Sequence, residues 1–261
     1  MRISHYLGDH RALVTTVDGI KLYVDTRDLS LTPHLLVDGN WEDWVANQLR
    51  RRWVQRDWTV VEVGSNIGFY TTLLAQLVGA KGTVIGFEAL PEYAALANAS
   101  LDVNGLVNAY VEPLALSDAP GEVEFTRCLA HRGSSSFHRI DEIVPTEPTE
   151  RVTVQVTTLD AYAQAHGVGG IDLLKIDAEG AEPAILRGAA RLIDGYRINR
   201  ILLEVNVPVL AATTQGMEPM LDRLRDQGFS LTEVHPDGLR PVTYEHLREA
   251  KVAEVYAERK G

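Results

Sequence analysis

The chain has 261 residues, 45% hydrophobic and 23% charged, the make-up of a globular protein long enough to bury a sizeable core. Its 36 acidic against 25 basic side chains leave a formal charge of -11, which excludes a broadly basic surface for sequence-independent nucleic-acid binding. The single cysteine, Cys128, excludes an intrachain disulfide and a multi-cysteine zinc site.

The first residues carry no apolar h-region, so no signal peptide is expected. The uncharged run 63–80 is too broken by glycine, serine, asparagine and threonine for a membrane span. A cytoplasmic protein without a membrane partner is the expectation. Asp18-Gly19 stands between the apolar runs 14–17 and 20–24, the pattern of a β-hairpin with a DG turn. Residues 41–53 read as a helix, with Trp41, Trp44, Val45 and Leu49 at helical spacing. Residues 1–52 thus form an N-terminal hairpin and helix cap, leaving 53–261 as the main domain.

From Thr59 onward strands and helices alternate. Strands are expected at 59–63, 83–87, 107–114, 121–126, 151–157, 171–176, 198–205, 229–234 and 251–257. Helices are expected at 70–78, 91–103, 158–166, 183–192 and 217–227, with Pro91 suited to a first turn. This order specifies an α/β fold with a doubly wound, mostly parallel sheet. Only a short turn near 244–248 separates the last two strands, which predicts an antiparallel final strand. The irregular segment 127–150 reads as a functional loop, a lid over a site.

In an open parallel sheet, ligands bind beyond the carboxyl ends of the strands. After the first core strand comes Glu62-Val63-Gly64-Ser65-Asn66-Ile67-Gly68-Phe69-Tyr70, where Gly64 and Gly68 let backbone approach a ligand. After the second comes Glu88-Ala89, 24 positions beyond Gly64, where a carboxylate can accept both hydroxyls of a ribose. The glycines alone would equally make a bare strand-to-helix turn. Paired with Glu88 they point to a nucleoside-containing cofactor. A dinucleotide site wants G-x-G-x-x-G, but Asn66 occupies the second glycine's place and Glu62 sets a negative charge beside any pyrophosphate. The loop suits the sulfonium and amino group of S-adenosylmethionine better. An NAD(P)-dependent oxidoreductase is the rival enzyme.

A second constellation, Leu174-Lys175-Ile176-Asp177-Ala178-Glu179-Gly180-Ala181-Glu182, ends the fourth core strand, and Leu203-Glu204-Val205-Asn206 ends the next. Asp177 and Glu204 would face one crevice from neighbouring strand ends. A carboxylate there can orient the cofactor, take a proton from an attacking hydroxyl, or share a divalent cation such as Mg2+. Helix capping accounts equally well for Glu179 and Glu182. No ligand motif supports Mg2+ and no histidines form a recognisable metal pair, so no metal site is assigned. His131, His138 and His166 are rival bases, of which His138 on the irregular loop is the choice. Arg50, Arg51 and Arg52 read as a solvated helix end. The tryptophans read as packing between the N-terminal helix and the core, some of them roofing the cleft.

Taken in order, Val61-Glu62-Val63-Gly64-Ser65-Asn66-Ile67-Gly68-Phe69-Tyr70-Thr71, Gly86-Phe87-Glu88-Ala89-Leu90-Pro91, Ala115-Leu116-Ser117-Asp118 with Gly121, Thr158-Leu159-Asp160, and the Asp177 segment resemble the FkbM-type methyltransferases over about residues 40–206. The family commonly has alanine at Ser65 and Glu-Pro at Glu88-Ala89, both mild departures. The resemblance implies a Rossmann-like class I fold that uses S-adenosylmethionine, and usually O-methylation of a small metabolite, natural product or sugar. It implies that Glu62, Gly64, Ser65, Asn66, Gly68 and Phe69 surround the methionine part and that Glu88 and Ala89 meet the ribose. It sets Leu116, Ser117 and Asp118 by the adenine, and Asp177 by the amino-acid tail and transferring methyl. The expected partner is a small-molecule or saccharide acceptor, not nucleic acid, and a homo-oligomer is left open. A catalytically silent binding protein on the same fold is the other alternative, which intact Glu62, Gly64, Gly68, Glu88 and Asp177 weigh against.

Overall fold

Short apolar strands alternating with helices can bury both only if the strands lie side by side and the helices cover the two faces. The computed structural model describes residues 3–131, 133, 135, 148–211 and 216–259. An N-terminal sheet comes first, of β1 (Ser4–Gly8), β2 (Arg11–Thr15) and β3 (Lys21–Asp25), followed by α1 (Leu31–Val37) and α2 (Asp43–Gln48). The main sheet contains β4 (Thr59–Val63), β5 (Thr83–Phe87), β6 (Ala109–Glu112), β10 (Leu173–Ile176) and β11 (Arg200–Asn206) as parallel neighbours in the order β6-β5-β4-β10-β11. Beyond β11 lie β14 (Val252–Arg259), antiparallel to it, then β12 (Phe229–His235), then its hairpin partner β13 (Gly238–Pro241). The antiparallel final strand is present as expected.

Neighbouring residues of each inner strand point to opposite faces, which is why these strands read as unbroken apolar runs. Val60, Leu173 and Leu202 bury against α3 (Phe69–Val78), α4 (Pro91–Val103) and the N-terminal segment. Val61, Leu174 and Leu203 bury against α5 (Leu159–His166), α6 (Glu182–Gly188), α7 (Ala190–Asp194), α9 (Met217–Asp226) and α10 (Tyr244–Ala250). A short α8 (Val207–Ala211) follows β11 directly. The N-terminal sheet is held by polar side chains of α4. Ser100 Oγ accepts from Tyr23 N at 3.0 Å, and Asn104 bonds both backbone groups of Lys21. No helix among the described residues is long and apolar enough to cross a membrane.

The structure departs from the expected elements in four places. The helix expected at 41–53 begins at Asp43 and widens into a π-helical turn over Leu49–Trp53, which lays Trp53 on Tyr256 with ring centroids 4.1 Å apart. Arg50 there is not merely solvated, because its Nε donates to Asp18 of the hairpin at 2.9 Å. The strands β8 (Gly121–Cys128) and β9 (Thr149–Thr157) stay out of the main sheet and pair antiparallel in a small sheet with β7 (Ala115–Leu116). β1, α1, α8 and β13 lack the periodicity that would have announced them. Finally, the helix expected at 183–192 breaks at Ala189. A Cβ on Gly188 would stand 2.0 Å from the Ser117 carbonyl oxygen, so the α6 end is pressed against that loop.

Asp160 stabilises that break. Its carboxylate, 10% exposed, accepts from Arg191 N at 2.8 Å and Leu192 N at 3.0 Å, satisfying first-turn donors of α7. Thr158 Oγ1 likewise caps α5 by accepting from Ala161 N. The Thr158-Leu159-Asp160 motif is therefore structural. Asp160→Ala should lower stability by about 1–2 kcal/mol in urea unfolding while leaving ligand binding in the cleft unchanged.

Candidate active site

The carboxyl ends of β4, β5, β10 and β11 open into a cavity of about 220 Å3 roofed by the N-terminal segment. Its floor is backbone. Gly64 has φ +85°, and a Cβ there would lie 1.8 Å from the Asp177 carbonyl oxygen, so no side chain fits between the β4 and β10 ends. Gly68 has φ +86°, and a Cβ would meet the Ala97 methyl on α4 at 2.8 Å. Asn66 between them is also left-handed, at φ 48°. The loop thus turns sharply into α3, whose first residue, Phe69, lines the cavity.

Glu88 closes the loop. It is 7% exposed, and its carboxylate accepts from Asn66 N at 2.8 Å and Leu90 N at 2.9 Å. Burial pushes its acid up to about 7, against the pull of those two backbone hydrogen bonds. Each oxygen keeps a second lone pair for a ligand donor. Ala89 and Leu116 also line the cavity. Ser117 does not lie among its lining residues: its N–H donates to Thr157 and its hydroxyl lies 3.4 Å from Asp118. Asp118 is held by Arg187, whose guanidinium lowers its acid below the usual range.

Carboxylates dominate the other end. Glu62 is 1% exposed and accepts from Thr71 Oγ1, with Ser65 Oγ at 3.5 Å. Burial pushes it up to about 7, with Lys175 pulling the other way. Asp177 faces the same cavity with its Oδ2 3.1 Å from Lys175 Nζ. Glu179 accepts from Asn206 Nδ2 at 3.2 Å, and burial together with Asp177 and Glu182 pushes it up to about 8. Glu204 lines the cavity from the next strand end, its acid held well above the carboxylate range by burial and by Asp177, Glu179, Glu254 and Glu42. Asp177 and Glu204 both line this cavity. Glu204 also groups with Glu42 and Glu254, one carboxylate oxygen from each lying within 4.8 Å of the others.

Three contributors escaped the sequence reading. Glu42 comes from the turn before α2, at φ 43°, and accepts from Tyr70 OH at 2.7 Å. Lys175, 1% exposed, lies 4.4 Å from the Tyr70 ring centroid. Glu254 stands on β14 beside Glu42 and Glu204. Only Lys175 carried a signal, as a charge inside an apolar strand. Trp41 lines the cavity, in the place expected of some of the tryptophans. His138 lies outside the described residues. His131 is exposed, and His166 stacks on Tyr162 at 4.1 Å; neither lines the cavity. No lysine or arginine is among the described residues that line it.

A parallel sheet with helices on both faces, an antiparallel strand inserted beside β11, and a cleft at the parallel strand ends make a Rossmann-like class I methyltransferase fold. The Methyltransferase FkbM domain matches residues 62–231, and the chain belongs to that family. It is 28% identical over 207 residues to the 31-O-demethyl-FK506 methyltransferase FkbM of Streptomyces tacrolimicus, covering 67% of this chain and 78% of that one. Among solved structures, it is similar to an O-methyltransferase from Bacillus cereus in complex with SAH, at TM-score 0.49 and 14% identity over 90% of this chain and 83% of that one. A SAM-dependent O-methyltransferase from Thermotoga maritima aligns at TM-score 0.44 and 17% identity over 95% of this chain and 77% of that one.

The buried acids have a consequence for stability. Glu62, Glu88 and Glu182 all sit near 7, above the ordinary 4.5, with burial the main cause. The folded chain therefore holds more protons than the unfolded chain between those values. The stability they contribute is complete below 4.5 and is lost as pH rises through 7. Urea unfolding midpoints should fall from about pH 5 to about pH 8, and Glu62→Gln should flatten that slope.

Proposed function

We propose that the protein transfers a methyl group from S-adenosylmethionine to a hydroxyl of a small metabolite, natural product or sugar. The observation that carries this reading is the Gly64–Phe69 loop closed on buried Glu88, in a cleft lined by carboxylates and without a lysine or arginine among the described residues. A cofactor with ribose, sulfonium and ammonium groups and no phosphate matches that lining. A nicotinamide dinucleotide would bring a pyrophosphate against Glu62 and Asp177 with no lysine or arginine among the described lining residues to meet it. When bound, S-adenosylmethionine supplies an electrophilic methyl and a ready leaving group.

The chain's own residues do the rest by position. The Gly64–Phe69 loop presents backbone to the methionine part, Glu88 accepts from the ribose hydroxyls, and Leu116 meets the adenine. Asp177, fixed by Lys175, orients the ammonium end. Glu204 takes the proton of the acceptor hydroxyl once ionised. Burial and like charge favour its neutral form in the free cleft, a bias that the positive charge of the bound cofactor relieves. The ionised group is then a stronger base than an ordinary carboxylate. Desolvation and alignment supply the remainder. Transfer to oxygen is supported by the Streptomyces relative, named as a methyltransferase of a 31-O-demethyl compound.

Calorimetric titration with S-adenosylmethionine, S-adenosylhomocysteine and NADPH, with and without Mg2+, is the test. The two adenosyl ligands should bind and NADPH should not; the reverse would overturn the proposal. Glu88→Gln should weaken S-adenosylmethionine about tenfold, because it keeps an acceptor for one backbone N–H but loses the charge-assisted contact to the ribose. Glu204→Gln should leave that affinity unchanged and cut methyl transfer to a hydroxyl acceptor on the order of 100-fold.

A further inference from the structure

The face of the sheet opposite Glu204 and Glu254 carries a second group of chemistry-bearing side chains. Glu233, on β12, is fully buried at 0% exposure. Its Oε1 lies 2.7 Å from His235 Nε2, and its Oε2 lies 2.8 Å from His246 Nδ1. The donor atoms of all three residues fall within 4.8 Å of one another. Glu233 pairs with Val255 across β12 and β14, whereas Glu254 pairs with Val234 and Glu204. Residues paired directly across antiparallel strands share a face, so Glu233 lies on the opposite face from Glu254 and Glu204. None of the three lines the cavity.

We infer that Glu233, His235 and His246 form a binding site for a divalent transition-metal ion of the zinc type. Two imidazoles and one carboxylate are a nitrogen-rich donor set that suits Zn2+ and not Mg2+ or Ca2+, which take oxygen ligands. The ligands stand on rigid elements. His235 is paired to Gly238 in the β12–β13 hairpin. His246 sits in the first turn of α10, where its N–H donates to the capping Thr243 hydroxyl at 3.3 Å, and the next residue, Leu247, is 0% exposed. The side chains of His235 and His246 are 20% and 33% exposed, which leaves an entry path and room for water to complete four-coordination. Zinc bonds of roughly 2.0–2.2 Å set neighbouring ligand atoms about 3.3 Å apart, so the Glu233 contacts would open by about half an ångström and the imidazole nitrogens, now within 4.8 Å of each other, would settle to that spacing. The ion would pin α10 to β12.

Protein stripped with a chelator and dialysed is titrated with Zn2+ by calorimetry and with Co2+ by visible absorption. One equivalent should bind, the Co2+ spectrum should show bands of four- or five-coordinate nitrogen and oxygen ligation, and Zn2+ should raise the melting temperature. His246→Gln keeps a donor for Glu233 but removes the imidazole, and with His235→Ala it should weaken Zn2+ at least tenfold and abolish the Co2+ bands. His34→Ala, altering a histidine remote from the group, should change neither, and excess Mg2+ should not compete. Absence of saturable Zn2+ binding, or one-equivalent binding that survives both His246→Gln and His235→Ala, would overturn the inference.

Discussion

A buried ammonium among carboxylates sets the terms for the cleft. Lys175 lies on β10 in register between Glu62 on β4 and Leu202 on β11, and points to the face covered by α3 and the N-terminal segment. Burial alone would lower its pKa, but the fields of Asp177, Glu62, Glu254 and Glu42 outweigh burial and hold it above the ordinary lysine range. A buried ion is tolerable only while its partners stay in place. Asp177 is therefore tied to β10, Tyr70 is drawn over the ammonium from α3, and Glu42 is fixed by the Tyr70 hydroxyl. The N-terminal segment joins the core through this charge and not only through apolar packing.

Among the described residues, Lys175 faces more carboxylates than it can neutralise. Asp177 takes the ammonium, so Glu62, Glu179, Glu204 and Glu254 stay displaced toward their protonated forms by burial first and then by neighbouring carboxylates, Asp177 among them in each case. A ligand that brings positive charge relieves that excess, and one that brings phosphate adds to it. The glycine positions act in the same direction. By keeping side chains out at Gly64 and Gly68 they let backbone, which is uncharged, meet the ligand. Selectivity here comes from the sign of the lining as much as from its shape.

How far the sequence foretold this follows from which interactions are local. β4, β5 and α4 lie where their residues predicted, because unbroken apolar runs and a proline at a helix start are local signals. Gly64, Glu88 and Asp177 were legible as strand-end residues, since a parallel sheet gathers such ends on one edge. Glu42 and Glu254 were not, for they reach the cleft from the turn before α2 and from the antiparallel strand, at separations no motif spans. The Glu233–His235–His246 group was invisible for the same reason, one ligand being held on α10. Ser117 shows the opposite error. It has the right neighbours in sequence, but pairing with β9 and the close approach of Gly188 turn it away from the cavity.

The edge strands show how narrowly such placements are set. Along β12, Glu233 and Val234 are adjacent, yet one is buried beside two imidazoles and the other packs in the core on the Lys175 side. A slip of one residue between β12 and β14 would exchange them, sending Glu233 toward Glu204 and Glu254 and stranding Val234 among imidazoles. The paired residues Phe229–Val234 and Glu254–Arg259 resist that slip through buried side chains on both faces, Val255 on one and Tyr256 on the other. Tyr256 in turn is stacked by Trp53 from the π-helical turn. The N-terminal segment therefore acts on the cleft twice, directly through Glu42 and at a distance by holding the register that delivers Glu254.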